Sequence, residues 1–357
     1  MAGIEILNHD VLLEIFSYLN IHERVSMGLV CKKWHDVVEI MMRSIHKICC
    51  RVNYCGNYGR YVRLCCDVLE VYSDTMQLEK VLEKFASTLN KIRIDDNFES
   101  YFNFELLGKC TKLTYAGLRC RHIQLLEEFL KFLPLDNLEH LSINYNQKSG
   151  DYRWRHRRLL GAVLEKATKL NSLELKFWQI LKLSPTDGMK TLKTLILKSG
   201  ELPQQRFDIM KLQNLEILVI MCTRVNAASI TELMRNCRKL HTVQFHSSNI
   251  FPETTLNVMR SLPNLRHLHL KTNESSYESW YKFSNLESIE ISQPERFSSK
   301  RNQIISFLQR SKYLKTYYFT HDSYDRDNGF SELFHQIASD MGRDVQQITN
   351  RYYTIPF

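Results

Sequence analysis

No stretch of this chain approaches the ~20 consecutive apolar residues needed to cross a bilayer, so no membrane span is expected. The first residues mix Glu5 and Asp10 with apolar side chains and lack a basic run, so no secretory leader is expected either. Ten cysteines without export signals read as reduced thiols in the cytoplasm or nucleus. No C-x-x-C spacing occurs among Cys49, Cys50, Cys55, Cys65 and Cys66. Adjacent cysteines in a strand face opposite sides, so buried thiols are expected and not a zinc site. Gly56-Asn57-Tyr58-Gly59-Arg60 lacks P-loop or dinucleotide spacing and reads as a turn. His267 and His269 have no third ligand fixed beside them, so no metal is expected. With no catalytic constellation and no cofactor motif, the chain reads as a non-enzyme.

Charge is similarly undirected. The 48 basic residues exceed the 39 acidic ones by nine, but the excess is spread out, which excludes a dedicated nucleic-acid binder. The densest basic run is Arg153, Arg155, His156, Arg157 and Arg158, expected as a solvated helix start. Its alternative reading is a polyanion site for nucleic acid or phospholipid.

The most informative stretch covers residues 7–38. Leu12, Ile15, Phe16 and Leu19 sit at helical offsets 0, 3, 4 and 7, while Val11 and Leu13 lie off that face. Asn8 or Asp10 can cap the helix start, and Asn20 closes it. A second helix carries Val30, Trp34, Val37 and Met41 on one face. A segment of about forty residues cannot bury this much apolar surface by itself. Each large side chain left in water forgoes roughly 1.5–3 kcal/mol, so a partner surface is implied.

From Leu89 a phrase recurs: leucine, two variable residues, an apolar residue, one variable, another apolar. Its copies are Leu89, Ile92, Ile94; Leu113, Ala116, Leu118; Leu138, Leu141, Ile143; Leu170, Leu173, Leu175; and Leu192, Leu195, Leu197. They continue as Leu215, Leu218, Ile220; Leu240, Val243, Phe245; Leu265, Leu268, Leu270; Leu286, Ile289, Ile291; and Leu314, Tyr317, Phe319. The mean step is about 25 residues, within the leucine-rich-repeat range. Only Asn146 and Asn273 stand where that motif wants asparagine, so the copies are degenerate. Helices are expected between them at 122–133, 155–168, 228–239, 253–262 and 301–311. Upstream, Ile48, Cys50 and Val52 and then Val62, Leu64 and Cys66 alternate around a turn. They read as a hairpin or a pair of irregular strands. A helix holding Met76, Leu82 and Phe85 follows. Phe330, Leu333, Phe334, Ile337, Met341, Val345 and Ile348 predict one long amphipathic helix capping the array.

The order Leu7, then Leu12 to Leu19, then Leu29-Val30-Cys31-Lys32-Lys33-Trp34 resembles an F-box. Joined to the repeats, it resembles the F-box/leucine-rich-repeat family. That resemblance implies an α/β chain: a helical F-box at 1–45, a connecting hairpin and helix at 46–88, repeats at 89–325, and a capping helix and tail at 326–357. The repeats would form a solenoid with a parallel sheet inside and helices outside. By resemblance, Leu7, Leu12, Ile15, Phe16 and Leu19 would dock the Skp-family adaptor of a cullin-RING scaffold. Val30, Cys31 and Trp34 would hold the helices together and line the same interface. The family usually has Leu-Pro where this chain has Leu7-Asn8, and Gly28 would cost roughly 1 kcal/mol if it sat mid-helix. The implied role is the substrate receptor of an SCF-type ubiquitin ligase; a scaffold without a degradation role is the alternative.

Strand alternation sends the second, fourth and sixth residues after each leading leucine to the face opposite the helices. This predicts an apolar centre of Ile196, Ile217, Val219 and Met221, ringed by Lys176, Lys198, His246, His267, His269 and Lys271. An apolar centre with a polar rim suits a protein target, and the basic flank suits an acidic or phosphorylated one.

Overall fold

Each leucine phrase becomes a turn followed by a strand, and the leading leucine links the two. Its amide donates to the carbonyl three residues back at Leu113, Leu138, Leu170, Leu192, Leu215, Leu240, Leu265 and Leu314, at 3.1–3.4 Å. In every copy the strand begins two residues after that leucine. These are β4 (Lys91–Asp95), β5 (Tyr115–Cys120), β6 (His140–Tyr145), β7 (Ser172–Gln179), β8 (Thr194–Glu201) and β9 (Ile217–Arg224). They continue as β10 (Thr242–Ser247), β11 (His267–Thr272), β12 (Ser288–Ser292) and β13 (Thr316–Thr320). The computed structural model describes residues 7–19, 21–43, 47–50, 64–65, 68–71, 82–83, 86–95, 103–145, 153–179, 187–201, 212–224, 227–247, 253–272, 282–292, 301–320 and 329–347. Asn146, Asn273, the turn at Cys55 to Gly59, Cys66, Met76, Phe85 and the tail at 352–357 lie outside them.

The fold is α/β, and the chain divides into two compact units, Met1–Leu170 and Asn171–Phe357. In the first, β4, β5 and β6 run parallel in sequence order, and β1 (Lys47–Cys50) pairs with β4 in parallel. In the second, β7 to β13 form an unbroken parallel series. One carbonyl per repeat accepts from two amides of the next: Thr114 from Glu139 and His140, Lys193 from Glu216 and Ile217, His241 from Arg266 and His267. Asparagine immediately before the leading leucine adds a side-chain tie. Nδ2 of Asn137, Asn214 and Asn264 donates to the carbonyls of Thr111, Lys190 and Arg238 at 2.8–3.1 Å. The leading leucines and the apolar residues three and five places on form the buried side of the sheets. Helices pack there: Ile123–Phe132 and Arg153–Lys166 in the first unit; Ala227–Asn236, Glu253–Ser261 and Arg301–Arg310 in the second.

Two expectations are corrected. The strand at Leu64–Cys65 (β2) does not pair with β1; it pairs antiparallel with β3 (Val68–Val71), which itself lies parallel to β1. The four-residue β3 was too short to register as a pattern. The C-terminal helix stops at Asp340, and Gly342 at φ 67° is the reason. Gly342 N–H bonds to the Ser339 carbonyl and Arg343 N–H to that of Ala338, a Schellman closure. The chain then adds a short strand, Gln346–Gln347, beside β13, with Val345 buried next to it. Arg343 fastens this cap by donating to the carbonyls of Leu308, Lys312 and Leu314.

Ser311 occupies the turn position held elsewhere by Cys110, Ala167 and Cys237, fully buried, and its Oγ has no partner. Cys237 Sγ instead reaches the Leu212 carbonyl at 3.1 Å. A buried hydroxyl without a partner costs roughly 1–3 kcal/mol. Ser311→Ala is therefore expected to raise the melting temperature by about 2–4 °C. A lower melting temperature would mean that the hydroxyl has a stabilising role.

Candidate functional site

The N-terminal module starts at Asn8, whose Oδ1 accepts from Val11 N–H at 2.9 Å and caps the helix His9–Ser17. That helix has two apolar faces about 100° apart. Leu12 and Phe16 turn inward, where Phe16 meets Trp34 edge to face at 5.2 Å between ring centres. Val37 and Val38 of the helix Lys32–Arg43 complete the buried set. Val11, Ile15 and Tyr18 turn outward and stay exposed.

Between these helices runs Ile21–Met27, tied back by one side chain. Arg24 Nε donates to the Phe16 and Leu19 carbonyls and Nη2 to that of Ser17, at 2.8–2.9 Å. These are orphan acceptors at the end of the first helix, so Arg24 serves as its C-terminal cap. Burial lowers the Arg24 pKa. Gly28 follows the second helix and is buried in the turn, so the mid-helix cost does not arise. That turn projects Leu29 and Val30, which are 82% and 59% exposed.

The roles implied by resemblance are therefore partly exchanged. Leu12 and Phe16, expected on the docking surface, are core residues; Val30, expected to hold the helices together, faces water. Ile15 is exposed as a docking residue must be, Trp34 is in the core, and Leu7, Leu19 and Cys31 are half-buried. The outward apolar set comprises Val11, Ile15, Tyr18, Leu29, Val30 and Ile40. Sequence reasoning overlooked Tyr18, Leu29 and Ile40 as surface residues, and no periodicity pointed to Arg24.

In the second unit, the face opposite the helices carries the predicted residues in register. Ile196 pairs with Val219, Lys198 with Met221, and Lys176 with Lys198. His246 pairs with Met221 and with Lys271, and Ile217 lies between Thr194 and Thr242. Exposure divides them. Ile196, Val219 and His269 are buried; Ile217, Met221, Lys198, His246 and His267 are half-buried; Lys176 is exposed. Ile196 and Val219 thus form a floor and not open apolar surface.

Two carboxylates share this face. Glu174 accepts from Lys198 Nζ at 2.6 Å, and Glu290 faces His269 Nδ1 at 2.9 Å. Both stand four residues after a leading leucine, Leu170 and Leu286, so the alternation rule would have found them. They offset part of the basic rim. His267 Nδ1 lies 2.9 Å from Ser288 Oγ, and burial, opposed by Glu287, lowers its pKa. Arg153 to Arg158 lie in the first turns of the helix Arg153–Lys166, as expected of the basic run. Among the described residues no three His, Cys, Asp or Glu side chains converge as a metal site, and no helix is long and apolar enough to cross a membrane.

Comparison with family models matches residues 4–46 to the F-box domain. The matched segment contains all three helices of the N-terminal module. No curated protein matches the chain.

Proposed function

We propose that this chain is a substrate-recognition subunit of an SCF-type ubiquitin ligase. Its N-terminal module docks the Skp adaptor and thereby a cullin scaffold, while the sheet face of the second unit holds a target protein. The observation that carries this reading is the outward apolar set Val11, Ile15, Tyr18, Leu29, Val30 and Ile40 on an F-box module. A three-helix module gains nothing from keeping such residues in water, and covering them with an adaptor recovers their burial energy. Ubiquitin transfer itself falls to other subunits, and this chain supplies effective concentration.

On the target side, Ile217, Met221, His246 and Lys176 offer contacts above the Ile196 and Val219 floor. Lys271 belongs to this surface by its register with His246.

Ile15→Asp combined with Val30→Asp is expected to weaken adaptor capture by about 10²–10⁴-fold, from roughly 1.5–3 kcal/mol at each position. Both side chains are exposed, so hydrogen-exchange protection of the three helices should be unchanged. Undiminished adaptor capture by this variant would overturn the docking assignment.

A further inference from the structure

The face of β4, β5 and β6 opposite their buried side carries a chemistry that the adaptor and target readings leave unused. Ile92 and Ile94, Ala116 and Leu118, and Leu141 and Ile143 are buried on one side. Lys91, Arg93 and Asp95, then Tyr115, Gly117 and Arg119, then His140, Ser142 and Asn144 therefore share the other, in register. Gly117 lies at its centre. A β-carbon there would come within 3.2 Å of Tyr115 Oη and 3.4 Å of Arg93 Cγ, so the tyrosine ring and the arginine stem lie across the glycine. The ring of His140 stands 6.4 Å from that of Tyr115, tilted by 38°. The result is a level aromatic platform with the exposed side chains of Arg93 and Arg119 beside it and Lys91 half-buried. Asp95 is the one acidic residue that these three strands place on the face, at its end beside Arg119.

We propose that this platform binds an extended acidic segment of a partner protein, its carboxylates or phosphates paired with Arg93 and Arg119. Guanidinium groups hold carboxylates and phosphates through paired hydrogen bonds, a geometry that lysine does not offer. Two atoms on the face, His140 Nδ1 and Asn144 Oδ1, are buried without a hydrogen-bond partner. Burial and the Lys91 charge, opposed by Glu139, lower the His140 pKa, so the ring adds no cation near neutral pH. Asn144 Oδ1 is an acceptor and needs a donor. A peptide main chain brings N–H groups along with its acidic side chains; an inorganic anion or a lipid phosphate brings acceptors only. The inference is independent of adaptor docking.

The test measures anisotropy of a labelled glutamate-rich peptide on the full chain, and of the same peptide with phosphoserines replacing the glutamates. Arg93→Glu with Arg119→Glu is expected to weaken whichever peptide binds by about tenfold or more. Lys109→Glu with Lys112→Glu, at exposed positions of the same unit, makes an identical change in net charge and should alter binding less than about twofold. Preference between the two peptides separates a carboxylate partner from a phosphorylated one. Equal loss in both variants, no binding of either peptide, or tighter binding of a poly-uridine RNA through the same arginines would overturn the proposal.

Discussion

Phe16→Ala is expected to unfold the N-terminal module while the sheets stay protected. Phe16 retains 2% exposure and supplies one ring of the Phe16–Trp34 contact that joins the first helix to the third. Removing a buried phenylalanine costs about 3–5 kcal/mol, and a module of roughly forty residues has little more than that in total. The cavity cannot be refilled locally, because Leu12, Val37 and Val38 are already packed on one another's side of the module. Ile15→Ala is the matched control, one residue away on the same helix and outward-facing, and is expected to cost well under 1 kcal/mol. Peptide-resolved hydrogen exchange distinguishes the two. Protection should vanish for His9–Ser17 and Lys32–Arg43 in Phe16→Ala, and should persist at β5 and β9. Persisting protection of the helices would move Phe16 out of the core. Adaptor capture is also expected to fail in Phe16→Ala, but through unfolding, unlike the surface variant at Ile15 and Val30.

That contrast marks the limit of what periodicity tells. Ten leucine phrases placed ten strands to the residue, because a leucine buried at a fixed turn sets the register of everything after it. The first helix carries apolar residues on two adjacent faces, so spacing named the helix but not its inward side. Leu12 and Phe16 could be told from Val11 and Ile15 only once Trp34 was in place. Arg24 and Arg343 were equally silent. Each works by donating to carbonyls several to dozens of residues away, and such a contact leaves no local pattern. Other signals were present in the sequence and overlooked. Gly342 is a helix stop, asparagine before leucine marks the turn ties, and Glu174 and Glu290 follow from the rule that found Ile196 and His269.

Val219→Asp is expected to destabilise the second unit by several kcal/mol, and for this reason it is not a clean probe of target binding. Val219 is 1% exposed and lies in register between Ile196 and Gln244. A carboxylate introduced there loses its hydration, so its folded-state pKa rises above the unfolded value of about 3.9. The sign follows from linkage. Below the unfolded pKa both states hold the proton, and the variant behaves like the neutral Val219→Asn. As pH rises from there toward the folded pKa, the unfolded chain releases the proton and the folded one keeps it, so stability falls. Denaturant midpoints of Val219→Asp and Val219→Asn should therefore coincide at low pH and separate on approach to neutrality. A gap that does not change with pH would mean that water or a cation reaches this position and that the floor is open. Met221→Asp sits one alternation further along the same strand and is half-buried. It can discharge into solvent, so it should keep the midpoint and lose the target. If Met221→Asp and Lys176→Glu both retain target binding at an unchanged midpoint, the sheet face of the second unit is not where the target binds, whatever Val219→Asp does.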